Sequence, residues 1–248
     1  MKISINTTNI QSIRNTLEKS DVKKYLESKN NDSRILVWNF WYIVSPNNKE
    51  IKVRKYYIRK EYFLKELENY DLMKSLWITI PNILWSWEET IENEELYFID
   101  FENIRLYRGG FSSILEISPK YLWNTLWLIH KANFTSGKSY IHWNLHCSNF
   151  FEAKDWEFWI FDFASMHYDD IEYDFATIYL NSNYDDNFLE EILENYSLKD
   201  KFSYKKMLVH TILKLKENIN WNIYIDENKK KSLKLDLIKI KEKLWSLT

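Results

Sequence analysis

Two residues in this chain have the types and the spacing to hold a metal–phosphate group. Asn149 ends the polar run His142-Trp143-Asn144-Leu145-His146-Cys147-Ser148-Asn149, and Asp162 follows thirteen residues later inside the apolar run Phe158 to Phe163. An amide oxygen and a carboxylate are hard donors, and Mg²⁺ takes one or two such protein ligands and completes its shell with phosphate and water. Asn144 lies five residues before Asn149 in the same run. His142, His146 and Cys147 offer a rival chemistry as soft-metal ligands. Three donors without a second Cys/His pair at zinc spacing fall short of a structural zinc site.

For the loop and the aspartate to meet, the chain between them must fold back. Lys154-Asp155-Trp156 separates two apolar runs, and Asp-Gly in place of Asp-Trp would be a strong hairpin signal. The same oddity recurs along the chain. It has 12 Trp and only 3 Gly in 248 residues, where ordinary usage gives roughly 17 glycines. Trp38 and Trp41 flank Asn39-Phe40, and Trp77 follows the apolar helix ending at Leu76, at a position suited to a C-terminal glycine in left-handed conformation. Trp85 and Trp87, around Ser86, read as a loop if they are glycines. An indole cannot occupy a φ > 0 turn cheaply or let backbone approach a phosphate. These positions are therefore read as glycines, encoded by UGA in a lineage that translates that codon as glycine; the alternative is a tryptophan-rich binding protein, and UGG codons there would exclude the glycine reading.

The elements around these residues follow from periodicity. Residues 8–28 carry apolar Ile10, Ile13, Leu17, Val22, Tyr25 and Leu26 at helical spacing. Arg34 to Val44 and Glu50 to Ile58 read as strands about the turn Ser45-Pro46-Asn47-Asn48. Glu61 to Leu76 has a helical repeat through Leu64, Leu67, Leu72, Met73 and Leu76; Ile80 to Leu84 enters a strand, and Leu96 to Ile99 forms another. Ser118-Pro119 is a good N-cap and N1 pair for a helix through Leu122, Leu126, Ile129 and His130.

With the tryptophans read as glycines, His142 to Asn149 followed by Asp162-Phe163 resembles the H-G-D-x-x-x-x-N … D-F pattern of the aminoglycoside phosphotransferase and choline kinase-like family. "Leu-Trp-Ile-Thr-Ile-Pro-Asn-Ile-Leu" resembles that family's "L-G-I-x-V-P-x-V-L", and the helix ending at Ile129-His130 its "L-A-x-x-L-A-x-I-H". The likeness covers roughly residues 34–180. It implies an α+β, bilobal protein kinase-like fold: a helical extension over 1–33, a β-rich N-lobe over 34–99, a hinge over 100–104 and a helical C-lobe over 105–248.

The resemblance also implies roles. Asn149 and Asp162 would hold Mg²⁺, and the Trp38-Asn39-Phe40-Trp41 loop would cover the phosphates of ATP. Lys55, with Lys52 as competitor, would pair with those phosphates; Glu68, or as second choice Glu66, would face that lysine. Asp100 and Glu102 would lie where the linker meets adenine. His142 would bond backbone near Asp162, and Asp174, in Tyr173-Asp174-Phe175-Ala176, would fix the loop from below. One departure is independent of UGA: Asn144 stands at the family's catalytic Asp, with His146 as a substitute base. The implied activity is γ-phosphate transfer to a hydroxyl of a small-molecule acceptor such as an aminosugar, amino alcohol or sugar. The alternative is a nucleotide-binding pseudokinase acting as an interaction module.

Bulk properties fit and exclude. A net charge of −2 and a pI near 6.3 give no electrostatic case for nucleic acid. One cysteine excludes an intrachain disulfide framework. With no apolar core near Met1 and no run of about 20 apolar residues, the expectation is a cytoplasmic protein without a membrane span. Lys229-Lys230-Lys231 reads as a solvated helix face, with a membrane-surface helix as the rival. The sequence fixes no oligomeric state. The acidic stretch from Asp185 to Glu194 is the one hint of a cationic acceptor, and a solvated helix start accounts for it better.

Overall fold

The computed structural model describes residues 33–38, 41–46, 53–57, 59–91, 94–101, 106–109, 111–153, 158–221 and 226–247. Residues 1–32 of the proposed helical extension, Asn39, Phe40, Lys52, Glu102 and the Lys154-Asp155-Trp156 turn lie outside these residues, and Ser33, placed at the end of that extension, is the first residue of a strand.

The first half forms one antiparallel sheet in the order β1-β2-β3-β5-β4. Its strands are β1 (Ser33–Trp38), β2 (Trp41–Pro46), β3 (Val53–Tyr57), β4 (Ile83–Ile91) and β5 (Glu94–Phe101). Helix α1 (Lys60–Ser75) connects β3 to β4 and buries Phe63, Glu66, Asn69, Tyr70 and Met73. These positions recur at three to four residues and so define one face of the helix. Phe63 packs on Tyr57 and Tyr97 with ring centroids 5.9 and 5.4 Å away. That contact seats the helix on the sheet.

Three sequence expectations need correction. Arg34 to Val44 is not one strand but a hairpin, since Trp38 pairs with Trp41 across it. Trp85-Ser86-Trp87 is not a loop; it runs inside β4, paired with β5 residue by residue after a register shift at Ile83. The ladder to a neighbouring strand overrides the local turn signal there, and Trp87 stacks on Phe98 at 4.9 Å. Asp100 and Phe101, assigned to the hinge, are the last residues of β5.

The end of α1 bears on the glycine reading. Ile78 N–H donates to the Met73 carbonyl (3.2 Å) and Trp77 N–H to Lys74 (3.1 Å), the two bonds of a Schellman motif with residue 77 at C′. Trp77 sits there at φ 61° and is 89% exposed. Its side chain gains almost nothing from packing while its backbone takes the left-handed cost. Trp77→Gly is therefore expected to stabilise the protein by about 1 kcal/mol, read as a rise of roughly 2–4 °C in Tm. A fall in Tm would show that the indole contributes more than its exposure allows.

The second half carries two small sheets and five helices among the described residues. The strands β6 (Leu106–Gly109), β8 (Phe150–Ala153) and β9 (Phe158–Ile160) form one sheet; β7 (Lys138–Ile141) pairs with β10 (His167–Asp170) in the other. Helix α2 (Pro119–His130) begins at Pro119, and α3 (Glu172–Asn181), α4 (Asp186–Asn195), α5 (Tyr204–Trp221) and α6 (Glu227–Trp245) follow. The apolar core is continuous between halves: Tyr70 and Phe101 of the first half meet Phe163 and Phe161 of the second edge to face. No helix among the described residues is long and apolar enough to cross a membrane.

Candidate active site

The loop of residues 142–149 runs from β7 to β8, and charged side chains grip its backbone. Asp174, fully buried near the start of α3, accepts from His142 N–H at 2.8 Å and from Trp143 N–H at 2.9 Å. His130, at the end of α2, brings Nε2 to the same carboxylate at 3.1 Å and meets the Tyr196 hydroxyl with Nδ1 at 2.7 Å. Burial alone would raise the Asp174 pKa; bonds from His130 and His142 and the nearby imidazoles outweigh it and hold the group ionised, below the usual carboxylate value. Residue 143 takes φ 72° in the turn that follows, the second tryptophan found in left-handed backbone. An imidazole, a carboxylate and two amides thus fix the direction in which Asn144 leaves the core.

His142 is buried and its Nε2 donates to the Phe161 carbonyl at 2.9 Å. Burial lowers its pKa, so it is neutral at physiological pH. It ties the loop to the residue before Asp162. A second tie runs from Phe161 N–H to the Asn149 carbonyl at 3.0 Å. Asn149 is itself oriented: its Nδ2 donates to the Asn144 carbonyl at 2.9 Å, which leaves Oδ1 as the atom available to a cation. Asp162 stands at φ 69°, a left-handed conformation that a non-glycine residue keeps where its surroundings impose it, as at functional sites.

Lys55 of β3 completes the cluster from the opposite lobe. Its Nζ lies 2.9 Å from Glu66 Oε2 and 2.9 Å from Asp162 Oδ1. Burial pulls the lysine pKa down, but the two carboxylates outweigh burial and leave it raised. The helix carboxylate that faces Lys55 is therefore Glu66; Glu68, the first choice from the sequence, is exposed on the other side of α1. Glu66 Oε1 also accepts from Phe163 N–H at 3.3 Å. Asn69, one turn on, donates to the Phe163 carbonyl at 2.7 Å. Sequence reading missed Asn69, although it lies three residues after Glu66 and so shares its face.

The other expected residues are placed less tightly. Asn144 is exposed and His146 half-buried beside Cys147, with burial lowering the His146 pKa. Asp100 pairs with Arg54 and Trp85 in the sheet ladder. Trp38 and Trp41 face each other across the β1–β2 hairpin.

An Mg²⁺ ion fits the donor set. Asn149 Oδ1 and the Asp162 carboxylate offer hard oxygen donors of the kind Mg²⁺ takes, and an ammonium already rests on Asp162.

No protein-family model and no curated protein matches the chain. Solved structures do. The choline kinase LicA from Streptococcus pneumoniae superposes with a TM-score of 0.58 at 15% identity, over 92% of this chain and all of that one. A choline/ethanolamine kinase family protein from Mesorhizobium loti gives 0.59 at 10% identity, over 96% and 95% of the two chains. APH(2")-IIa in its ternary complex with streptomycin and ATP gives 0.58 at 13% identity, over 89% and 96%. The chain therefore has the two-lobed, protein kinase-like α+β fold of these proteins.

Proposed function

We propose that this protein is an ATP-dependent phosphotransferase that moves the γ-phosphate to a hydroxyl of a small molecule, with an aminosugar, amino alcohol or sugar as acceptor. The observation that carries the reading is the Lys55–Glu66–Asp162 cluster, two 2.9 Å ion pairs of which the one from Lys55 to Asp162 joins the two lobes. The solved proteins with this fold, one of them bound to ATP, support it.

Phosphoryl transfer asks a protein mainly for positioning and charge neutralisation. Lys55, held by Glu66, meets the phosphates once nucleotide draws its ammonium from Asp162. Asn149 and Asp162 would hold Mg²⁺, which would neutralise charge on the phosphate oxygens. Asn144 accepts a hydrogen bond from the acceptor hydroxyl and aims its oxygen at the γ-phosphorus. The new bond joins that oxygen to phosphorus, the bond to the β-phosphate oxygen breaks, and ADP leaves. In a loose transition state the hydroxyl proton is lost late, to an oxygen of the transferred phosphoryl group or to water, so an amide that orients without accepting the proton sustains a slow reaction. The same reading takes the tryptophans as glycines, which gives the phosphate-covering hairpin of Trp38 and Trp41 a backbone able to approach its ligand.

The test is a thermal-shift titration with Mg²⁺–ATP on protein made with glycine at the twelve positions, followed by an assay of transfer to a panel of alcohols. Saturation near 100 times Kd adds about 2.7 kcal/mol of stability, visible as a rise in Tm. The rise is expected to vanish with a chelator and in Asp162→Asn. That variant tolerates the left-handed backbone but loses the carboxylate charge. An unchanged melting curve at millimolar Mg²⁺–ATP would end the proposal.

A further inference from the structure

We infer that Lys214 is a positioning residue of this site: its side-chain amine holds the carbonyl of residue 143 and so fixes the peptide that carries Asn144 toward the acceptor. The inference rests on the phosphotransferase reading for its effect on rate, and on geometry alone for its effect on the loop.

Lys214 lies on α5, 71 residues from the loop, and its Nζ donates to the Trp143 carbonyl at 3.2 Å. The same amine is 3.8 Å from the centre of the Tyr173 ring, within cation–π distance, and 5.4 Å from that of Trp143. Asp174 takes the N–H groups of residues 142 and 143, so the backbone at 143 is clamped by an acceptor on its donors and a donor on its carbonyl. The indole of Trp143 lies flat on Tyr173 at 3.9 Å and helps hold the turn. With glycine at 143 that anchor is gone, and the direction of the next peptide rests on Asp174 and Lys214.

The chemistry of the amine makes this clamp sensitive to pH. Burial lowers its pKa to about 7, with Asp174 and Glu217 opposing the shift. The titratable groups around it are Asp174 and Tyr173 of α3, Glu217 and His210 of its own helix, and His167 of β10 against the Trp143 ring. Below that pKa the amine is an ammonium and its bond to the carbonyl is charge-assisted; above it the bond is an ordinary one.

The experiment uses the full chain with glycine at the twelve positions, and compares Lys214→Met and Lys214→Arg. Lys214→Met is expected to lower kcat by about 10- to 100-fold while leaving the Mg²⁺–ATP thermal shift intact. Lys214→Arg, charged at every working pH, should keep activity above pH ~7 where the parent's kcat declines. Hydrogen exchange of the 142–149 amides is measured alongside, and Lys214→Met should accelerate it. A parent-like kcat in Lys214→Met, or a parent-like pH profile in both variants, overturns the inference. If the protein binds nucleotide but transfers nothing, the phosphotransferase reading fails separately. The exchange data then decide: unchanged protection at 142–149 in Lys214→Met overturns the clamp, and loss of protection confined to that loop supports it.

Discussion

Asn144→Asp is expected to raise kcat for phosphate transfer by about 10²- to 10⁴-fold, the usual contribution of a positioned general base. The position is ready for it. Asn144 is exposed at the end of a peptide whose neighbours are gripped by Asp174 and Lys214, and its carbonyl already accepts the Asn149 amide. An aspartate there would keep that backbone and add a negative charge with real basicity. It would order the acceptor hydroxyl more firmly and take its proton as phosphorus–oxygen bonding advances. The Mg²⁺–ATP thermal shift should change little, because the substituted side chain is neither Asn149 nor Asp162. Measuring kcat and KM for parent and variant with the best acceptor decides the point. A variant no faster than its parent would mean that proton removal never limits this reaction, or that the hydroxyl does not approach residue 144.

The sequence carries the chemistry of this site better than its geometry. Loop, hairpin and aspartate were readable because residue types at short range specify them: a polar run ending in Asn149, a turn, then an apolar strand into Asp162. Trp77 was readable as a helix C′ position because the left-handed stop depends on local backbone alone. Glu68 ranks ahead of Glu66 on its spacing of nine residues before Trp77, and that spacing does not register which face of the helix is buried. Leu64 is 49% exposed, whereas Phe63, Tyr70 and Met73 are buried and put Glu66 on the inner face. Following the aromatic residues would have found both Glu66 and Asn69. Lys214 could not be found that way, since nothing within its own helix distinguishes it from the surrounding lysines. Its partner lies 71 residues earlier, and only the packed tertiary structure brings them together. Trp85 to Trp87 failed for the related reason that strand pairing with β5 overrode a local turn signal.

Lys55→Met should cost about 3–5 kcal/mol of stability near neutral pH, because it removes one partner of a buried charge cluster and leaves the other uncompensated. Glu66 is 1% exposed, and burial together with the charge of Asp162 already raises its pKa despite the ammonium. Without Lys55 that carboxyl is pushed further up. A carboxyl with a folded pKa above its unfolded one destabilises the fold at pH above both values, and the penalty fades as pH falls through the folded pKa. The variant should therefore regain stability as pH falls from above the raised Glu66 value toward the ordinary carboxylate range, the opposite of ordinary acid sensitivity. Lys55→Met with Glu66→Gln removes the two fully buried charges, leaves only the part-exposed Asp162 carboxylate and should recover most of the loss, since a buried pair is often replaceable where half of one is not. It should still fail to shift with Mg²⁺–ATP. Urea denaturation of the single and double variants at two pH values separates these terms. Equal stability of Lys55→Met and its parent at pH 8 would show that Glu66 is not confined with Asp162 in solution. The lobes would then lack the ion-paired bridge on which the nucleotide site is built.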